Sequence, residues 1–487
     1  MPGVVVTTGA VAGPSAPTRA PSSQFFCVGL AERGPTGKAL LVNSLADFNA
    51  AYGGQTSYGA LYDALTTYFQ EGGSRAYVAR VVGPSATTGT LAGGLLDGAS
   101  SPVATLNVSA ANPGSWSSNV SVQVLAGSSA STFRLQVFYS GVLTEDYTNL
   151  GSPQEAVSKV NSRSVYIMLA DAGSPTAAPA NNPAPTGSPG TLSAGADDRS
   201  HVVTQTYLSA LSLFPVDFGD GAVAIPGAGS SVHAGLIGHA DAYNRIALLA
   251  AERGADKNTL IGYASNLNAK RAGLFAPWVQ VPDGFGGTKA ISPEAFVAAA
   301  RSKAHNQAGP WKAAAGGIST AIYVVAPDQV FTVTDSNDLD SAKVDVIRTI
   351  AGTVRLYGWR SLSADFDNWA YLTGADTVNR YVTEATVQLE QYVFGVIDSS
   401  GHLLATIKGT LVGIAKPMAD ANGLFAAYDP TTGALIDPGY AVDTGSTLNT
   451  VASLALNQVL ATVSLRVSPT GATVSLSVTK AGVTAAL

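Results

Sequence analysis

The sequence predicts a multidomain chain of mixed α/β and α+β class: a layered α/β core with an inserted small β-rich domain, a C-terminal α+β domain and extended terminal arms. Three observations carry this. The 487 residues exceed what one hydrophobic core of ordinary size organises. Strand and helix patterns alternate early, give way to Ser/Thr-rich period-two stretches, then resume. Both ends are nearly uncharged, β-prone or apolar, and joined to the body through proline or glycine.

The surface chemistry narrows the function. Only 12% of residues are charged, about half the usual share, which suits burial against other subunits. A net charge of −6 with scattered Lys and Arg gives no footprint for nucleic acid, and no window offers an uninterrupted apolar membrane span. The single Cys27 lies in the apolar run Phe25 to Leu30 and reads as a core thiol. The N-terminal stretch lacks the basic region of a secretory signal, so synthesis and assembly in a cytoplasm are expected.

Taken in order, residues 1–23 form an arm with four prolines whose β-prone piece is Val4, Val5, Val6, Thr7 and Thr8. Such a segment has too little apolar surface to fold alone, and adds a strand to something else or stays disordered. Residues 24–83 begin the core, with a strand around Phe25 and Phe26. A helix follows, in which Leu61, Leu65, Tyr68 and Phe69 share a face and Gly72 and Gly73 supply the stop, and then a strand at Ser74 to Val82. Residues 84–200 are the insert: Val120, Val122 and Val124, then Phe133, Leu135, Val137 and Tyr139, keep a period of two, and five prolines between Gly173 and Gly190 make its exit a loop. Residues 201–345 resume the core: Gly221 to Gly229 reads as a strand leading to a turn, Val232 to Tyr243 as a helix, Arg245 to Ala251 as a strand, and a further helix is started by Ser292, Pro293 and Glu294. Residues 346–471 form the C-terminal domain and 472–487 a terminal strand and arm. Ala461 to Val467 and Ala472 to Val478 alternate strictly around a Pro-Gly connection, so they are expected to pair as two strands.

Each chemical motif fails on its own terms. In Gly29 to Leu40 the Gly37-Lys38 pair suggests a phosphate loop, but Glu32 replaces the first glycine, Ala39 the hydroxyl, and Pro35 removes a donor. It reads as a turn. His233 and His239 are six apart, not the four of a zinc helix, and Asp335 to Asp340 lacks the glycine and third ligand of a calcium loop. Gly227 to Ser231 lacks the closing glycine of both a nucleophile elbow and a dinucleotide loop. Asp365 and Asp367 have no polar partner nearby and read as a solvated loop. No catalytic, cofactor or metal residues are assigned.

Five segments, in order, resemble the tail sheath proteins of contractile bacteriophages and related contractile injection systems. They are Val28 to Gly54 with the strand beyond it, Asn112 to Val124, Leu192 to Asp198, Ala308 to Gly317 and Val354 to Asp365. Ala314 stands where the family often has Pro, and Tyr357 and Trp359 depart from its Trp-Gly-Ala-Arg segment. Residues 366–382 are less basic than in related chains, so no tube-facing positive charge is carried over. The resemblance implies a virion tail or injection particle built of stacked rings of this chain around an inner tail tube protein, with baseplate and tail-terminator partners, no cofactor, no nucleic acid and no membrane insertion. It further implies strand exchange between neighbours, for which Val4, Val5, Val6 and Thr7 at one end and Val463, Leu465, Val467, Val474, Leu476 and Val478 at the other are the candidates. The insert would face outward. Another self-assembling tail or baseplate protein would share the neutral surface but not the five ordered segments, and a soluble α/β hydrolase would need a polar constellation that the sequence does not offer.

Overall fold

A computed structural model of the chain describes residues 21–478 and 480. The core opens with strand β1 (Phe25–Gly29) and strand β2 (Ala39–Val42). Helices α1 (Leu45–Tyr52) and α2 (Leu61–Gln70) and strand β3 (Ala76–Arg80) follow. β1 is apolar at every position because it lies inside a sheet covered on both faces: Phe25 and Cys27 pack on one side with Leu61, Leu65 and Tyr68, while Phe26 and Val28 pack on the other. Helix α1 starts where the Ser44 hydroxyl accepts a hydrogen bond from the Asp47 N–H at 3.1 Å. The segment Arg33 to Gly37 is indeed a turn, joining β1 to β2. Gly34 and Gly37 hold φ of +106° and +73° there, where a side chain would be strained.

The insert follows as β4 (Leu95–Leu96), β5 (Ala104–Ala110), β6 (Val120–Ala126), β7 (Phe133–Tyr139), β8 (Val142–Leu150), α3 (Pro153–Asn161), β9 (Ile167–Asp171) and β10 (Gly190–Thr191). Its strands form two small sheets, ordered β10-β6-β7-β8 and β4-β5-β9. Val120, Val122, Val124, Leu135 and Val137 turn inward as the period of two requires, against Trp116 and against Ala156 and Val160 of α3. The chain leaves and returns at one place. The Gly83 N–H donates to the Asp197 carbonyl at 2.9 Å, and buried Arg80 reaches the Asp197 carboxylate at 2.6 Å and the Gly34 and Pro113 carbonyls at 2.9 and 3.0 Å.

The core resumes with α4 (Thr204–Ala210), β11 (Ala222–Ala224), α5 (His233–Tyr243), β12 (Ile246–Ala250), α6 (Lys257–Ala264) and β13 (Ala272–Ala276). A side sheet of β14 (Val279–Pro282), β15 (Thr288–Ile291) and β16 (Ala326–Pro327) surrounds α7 (Glu294–Gln307) in sequence, before α8 (Val333–Ser341), β17 (Val344–Ile350) and β18 (Thr353–Leu356). The main sheet has eight strands in the order β18-β17-β13-β12-β11-β1-β3-β2. The six inner strands are parallel and both edge strands antiparallel. β17 and β18 carry the core past residue 345, where the sequence placed the start of the C-terminal domain, because the β17 backbone completes the parallel ladder on β13.

Glu294 opens α7 fully enclosed, and burial pushes its carboxyl up to about 7 against the smaller opposing pull of hydrogen bonds from Ser292 and Gly227. Its folded pKa lies above its unfolded one, so its protonated form supports the fold below about pH 4.5 and that support is lost as pH rises through 7. The expected result for Glu294→Gln is loss of this decline, worth roughly 3 kcal/mol between those limits. Denaturation curves at pH 5 and pH 8 measure it.

The C-terminal unit comprises α9 (Phe366–Trp369), α10 (Leu372–Leu389), α11 (His402–Asp420), β19 (Ala427–Tyr428), β20 (Leu435–Asp437), β21 (Tyr440–Asp443), α12 (Val451–Ala455) and β22 (Thr462–Leu465). Tyr381 and Ala385 of α10 meet Ile407, Leu411, Ile414 and Ala415 of α11 at helical spacing, and Val442 and Leu424 cover them. Among the described residues no helix is long and apolar enough to cross a membrane.

Candidate assembly surfaces at the chain ends

The residues with chemical promise are each tied into the fold. Burial, reinforced for His239 by the neighbouring Arg245 charge, lowers the pKa of His233 to about 4 and of His239 to about 3, so both are neutral at pH 7. His233 Nδ1 meets the Tyr263 hydroxyl at 2.7 Å, and His239 Nε2 accepts from Arg245 at 2.8 Å. Asp335 and Asp338 lie on α8 and hold Lys257 at 2.9 and 2.8 Å. Asp365 caps α9 through the Asn368 N–H. Cys27 is enclosed, and burial followed by the nearby Glu294 pushes its thiol up. Among the described residues no three His, Cys, Asp or Glu side chains are grouped to hold a metal.

The parallel strand order reverses between β1 and β11, the place where sheets of this type bind ligands in the crevice beyond the strand ends. Here the crevice is packed. A side chain at Gly29 would meet Leu61 at 3.0 Å, one at Gly59 the Leu30 carbonyl at 2.7 Å, and one at Gly227 the Ala60 methyl at 3.3 Å. The Ser230 N–H, which a phosphate would need, donates instead to Glu252 at 2.9 Å.

Where the N-terminal arm joins the body, the geometry is tightly specified. Arg301 of α7 donates to the Ser22 carbonyl at 2.6 Å, and His305 Nδ1 meets the Ser22 hydroxyl at 3.0 Å. The Tyr68 hydroxyl donates to the Ser23 carbonyl at 3.2 Å, and Gln24 donates to the Asp220 carbonyl at 2.9 Å. Behind them Arg301 pairs with Asp376 of α10 at 2.5 Å with both side chains buried, and Arg380 lies 3.3 Å from Asp220. His305 Nε2 sits 3.4 Å from the second Asp376 oxygen, close enough to feel its charge but unaligned for a hydrogen bond.

Burial on its own raises the Asp376 pKa, but Arg301 and then His305 outweigh it, so this carboxyl sits below its ordinary range. At Asp220 burial wins over Arg380, and the pKa is raised. His305 is lowered by burial and by Arg301. The cluster is a fixed exit point, shared by the core and the C-terminal unit. Val4, Val5, Val6 and Thr7 lie outside the described residues.

At the other end β22 pairs antiparallel with β21, Thr462 opposite Asp443 and Leu465 opposite Tyr440. The expected hairpin between 461–467 and 472–478 is therefore corrected: the partner lies upstream. Alternation fixed the inward face, since Val463, Leu465 and Val467 pack on the α10–α11 layer, but alternation says nothing about which strand lies alongside. Among the described residues β21 and β22 form a sheet of two strands. Val474, Leu476 and Val478 join no strand there and are 92%, 85% and 81% exposed.

Sequence reasoning missed two features here. The Arg301 cluster is assembled from residues 22, 220, 301, 305, 376 and 380, which share no local motif. An apolar groove beside α12 is built from residues 389–403 and 451–461; its only sequence signal is the apolar run Val393 to Ile397.

No family model matches the sequence, and no curated protein matches it. Solved structures do. A sheath tail protein of Listeria innocua superposes with a TM-score of 0.61 at 12% identity, covering 88% of this chain and 90% of that one. A sheath tail protein of Desulfitobacterium hafniense gives 0.56 at 13%, covering 90% and 93%. The contracted helical sheath of the anti-feeding prophage gives 0.55 at 13%, covering 99% of both chains. Core, insert and C-terminal unit are matched together, and the chain has the fold of the sheath tail proteins.

Proposed function

We propose that this chain is the structural subunit of a contractile sheath: it polymerises helically around an inner tail tube and contracts to drive that tube through a target envelope, using energy stored in assembly. The observation that carries the reading is the full-length likeness to sheath subunits, including one solved in a contracted helical sheath. An anti-feeding prophage baseplate chain with the same fold, matched over 99% of both chains, supports a baseplate contact at the sheath's end. Tube and terminator proteins complete the partner set, in a phage tail or injection particle. Each chain contributes two ends. The arm leaving Ser22 and the strand at Val474, Leu476 and Val478 add to the sheet that Val463, Leu465 and Val467 anchor on a neighbour, so connections persist while rigid bodies repack.

Electron micrographs of the purified protein test this. Helical cylinders are expected; monodisperse particles at high concentration would reject it. No nucleotide drives the step. Lys38 is exposed on the turn between β1 and β2, so Lys38→Ala is expected to leave polymerisation unchanged, and calorimetric ATP binding that disappears in this variant would contradict the reading.

A further inference from the structure

The hairpin at the edge of the main sheet sets two arginines side by side. β17 and β18 are joined by Ala351 and Gly352, both left-handed at φ of +49° and +78°, and a two-residue turn of this kind fixes the register of the strands it joins. That register puts Arg348 directly opposite Arg355, with Cβ atoms about 5 Å apart. Both lie on the face that Val344 and Val346 present to Leu339 of α8, since Val354 and Leu356 turn to the other side. Like charges in this position repel. The carboxylates of α8 and of the loop leading into it are already taken: Asp335 and Asp338 hold Lys257, Asp328 holds Arg253 at 2.7 Å, and Asp340 holds Arg360 at 2.7 Å. Asp345 of β17 is fully buried on the opposite face, and burial pushes its carboxyl well up.

We propose that Arg348 and Arg355 form a binding site for a small, doubly charged oxyanion of the phosphate class. The pair brings two positive charges together with no counter-charge from the described residues, and a dianion neutralises both where a single carboxylate neutralises one. Arg348 is already held in place, its guanidinium 5.4 Å from the centre of the Tyr357 ring, so little side-chain freedom is lost on binding. The Nε–H of Arg355 is enclosed and meets no acceptor among the described residues, so the charge of this side chain is not compensated from within. Guanidinium forks grip phosphate oxygens in pairs. β18 is the outermost strand of the sheet, and both arginines are half-buried, which leaves an approach from solvent. Bound there, the anion cancels the cross-strand repulsion and fastens the edge of the sheet. The assignment does not depend on the sheath reading.

Isothermal titration of the full-length protein with inorganic phosphate, at an ionic strength held constant with sodium chloride, tests the site. Saturable binding of a single phosphate per chain is expected. Arg348→Met and Arg355→Met should each weaken it roughly tenfold or more, the loss of one charge-assisted contact, whereas Arg163→Met, at an exposed arginine of the insert, leaves it unchanged. The unsubstituted protein gives a second reading that requires no variant to fold: phosphate is expected to slow phenylglyoxal modification of Arg348 and Arg355, mapped by peptide mass, and not that of Arg163. Absence of saturable binding, binding that survives both substitutions, or protection that acetate reproduces at the same ionic strength would overturn the site. None of these measurements requires cylinders, so a failure here leaves the sheath reading standing.

Discussion

A chain lacking residues 1–12, or carrying Leu476→Pro, is expected to stay folded and to lose polymerisation. Neither change touches a described core: among the described residues the arm is held to the body at Ser22, and Leu476 is exposed. What is lost is intermolecular. Four ladder bonds at ~0.5–1.5 kcal/mol each amount to about 2–6 kcal/mol per strand, which weakens each connection by roughly 30-fold to 10⁴-fold. A helical lattice multiplies that loss over every subunit, so the cylinder disappears while thermal unfolding of the monomer does not shift. Sedimentation velocity and micrographs read both arms of the prediction. Cylinders of normal length from the truncated chain would assign the N-terminal arm a role other than connection.

The second large effect is on stability. Arg301→Met should lower the unfolding free energy by about 3–5 kcal/mol, because it strands a buried carboxylate, measured by urea denaturation of the arm-truncated chain. The pH dependence separates this from simple repacking. In the native protein Asp376 has a pKa below its unfolded value, so its contribution is present above about pH 4 and lost as pH falls through the depressed folded value. Without Arg301, burial dominates and the pKa rises above the unfolded one, so acidification from pH 7 should stabilise the variant. The gap in stability between the native protein and the variant is then largest at pH 7 and narrows as pH falls towards 4. Parallel curves would show that Asp376 draws its charge stabilisation from elsewhere.

The contrast between these two sites explains what the sequence disclosed. Strands β1 and β11 were legible because a covered parallel sheet demands continuous apolar runs, and α2 because Leu61, Leu65 and Tyr68 recur at helical spacing. The insert was legible through its period of two. The Ser292, Pro293 and Glu294 signal marked α7 correctly, although Pro293 occupies the cap position and Glu294 the first turn. Pairing was not legible: β22 has the alternation of a strand, yet its partner β21 is identified only by tertiary packing on α11. Nor was the Arg301 and Asp376 pair, 75 residues apart, since a lone Arg in an alanine-rich helix reads as surface. The side sheet of β14, β15 and β16 escaped because two-residue strands such as β16 leave no periodicity to detect. The five segments resembling sheath proteins succeeded where local patterns stopped, because order along the chain encodes topology.

The closure of the insert has a use in protein engineering. Its two ends meet at the hydrogen bond between Gly83 and Asp197 and are held by Arg80, which also reaches the Gly34 carbonyl of the core; of the ties Arg80 makes, only that to the Pro113 carbonyl belongs to the insert's own body. A foreign module whose own termini lie close together could replace residues 86–196 without spreading β3 from its neighbours, retaining Asp197 as the lock. In the sheath proposed above, such a graft displayed once per subunit would give a dense, regularly spaced array of enzymes or antigens.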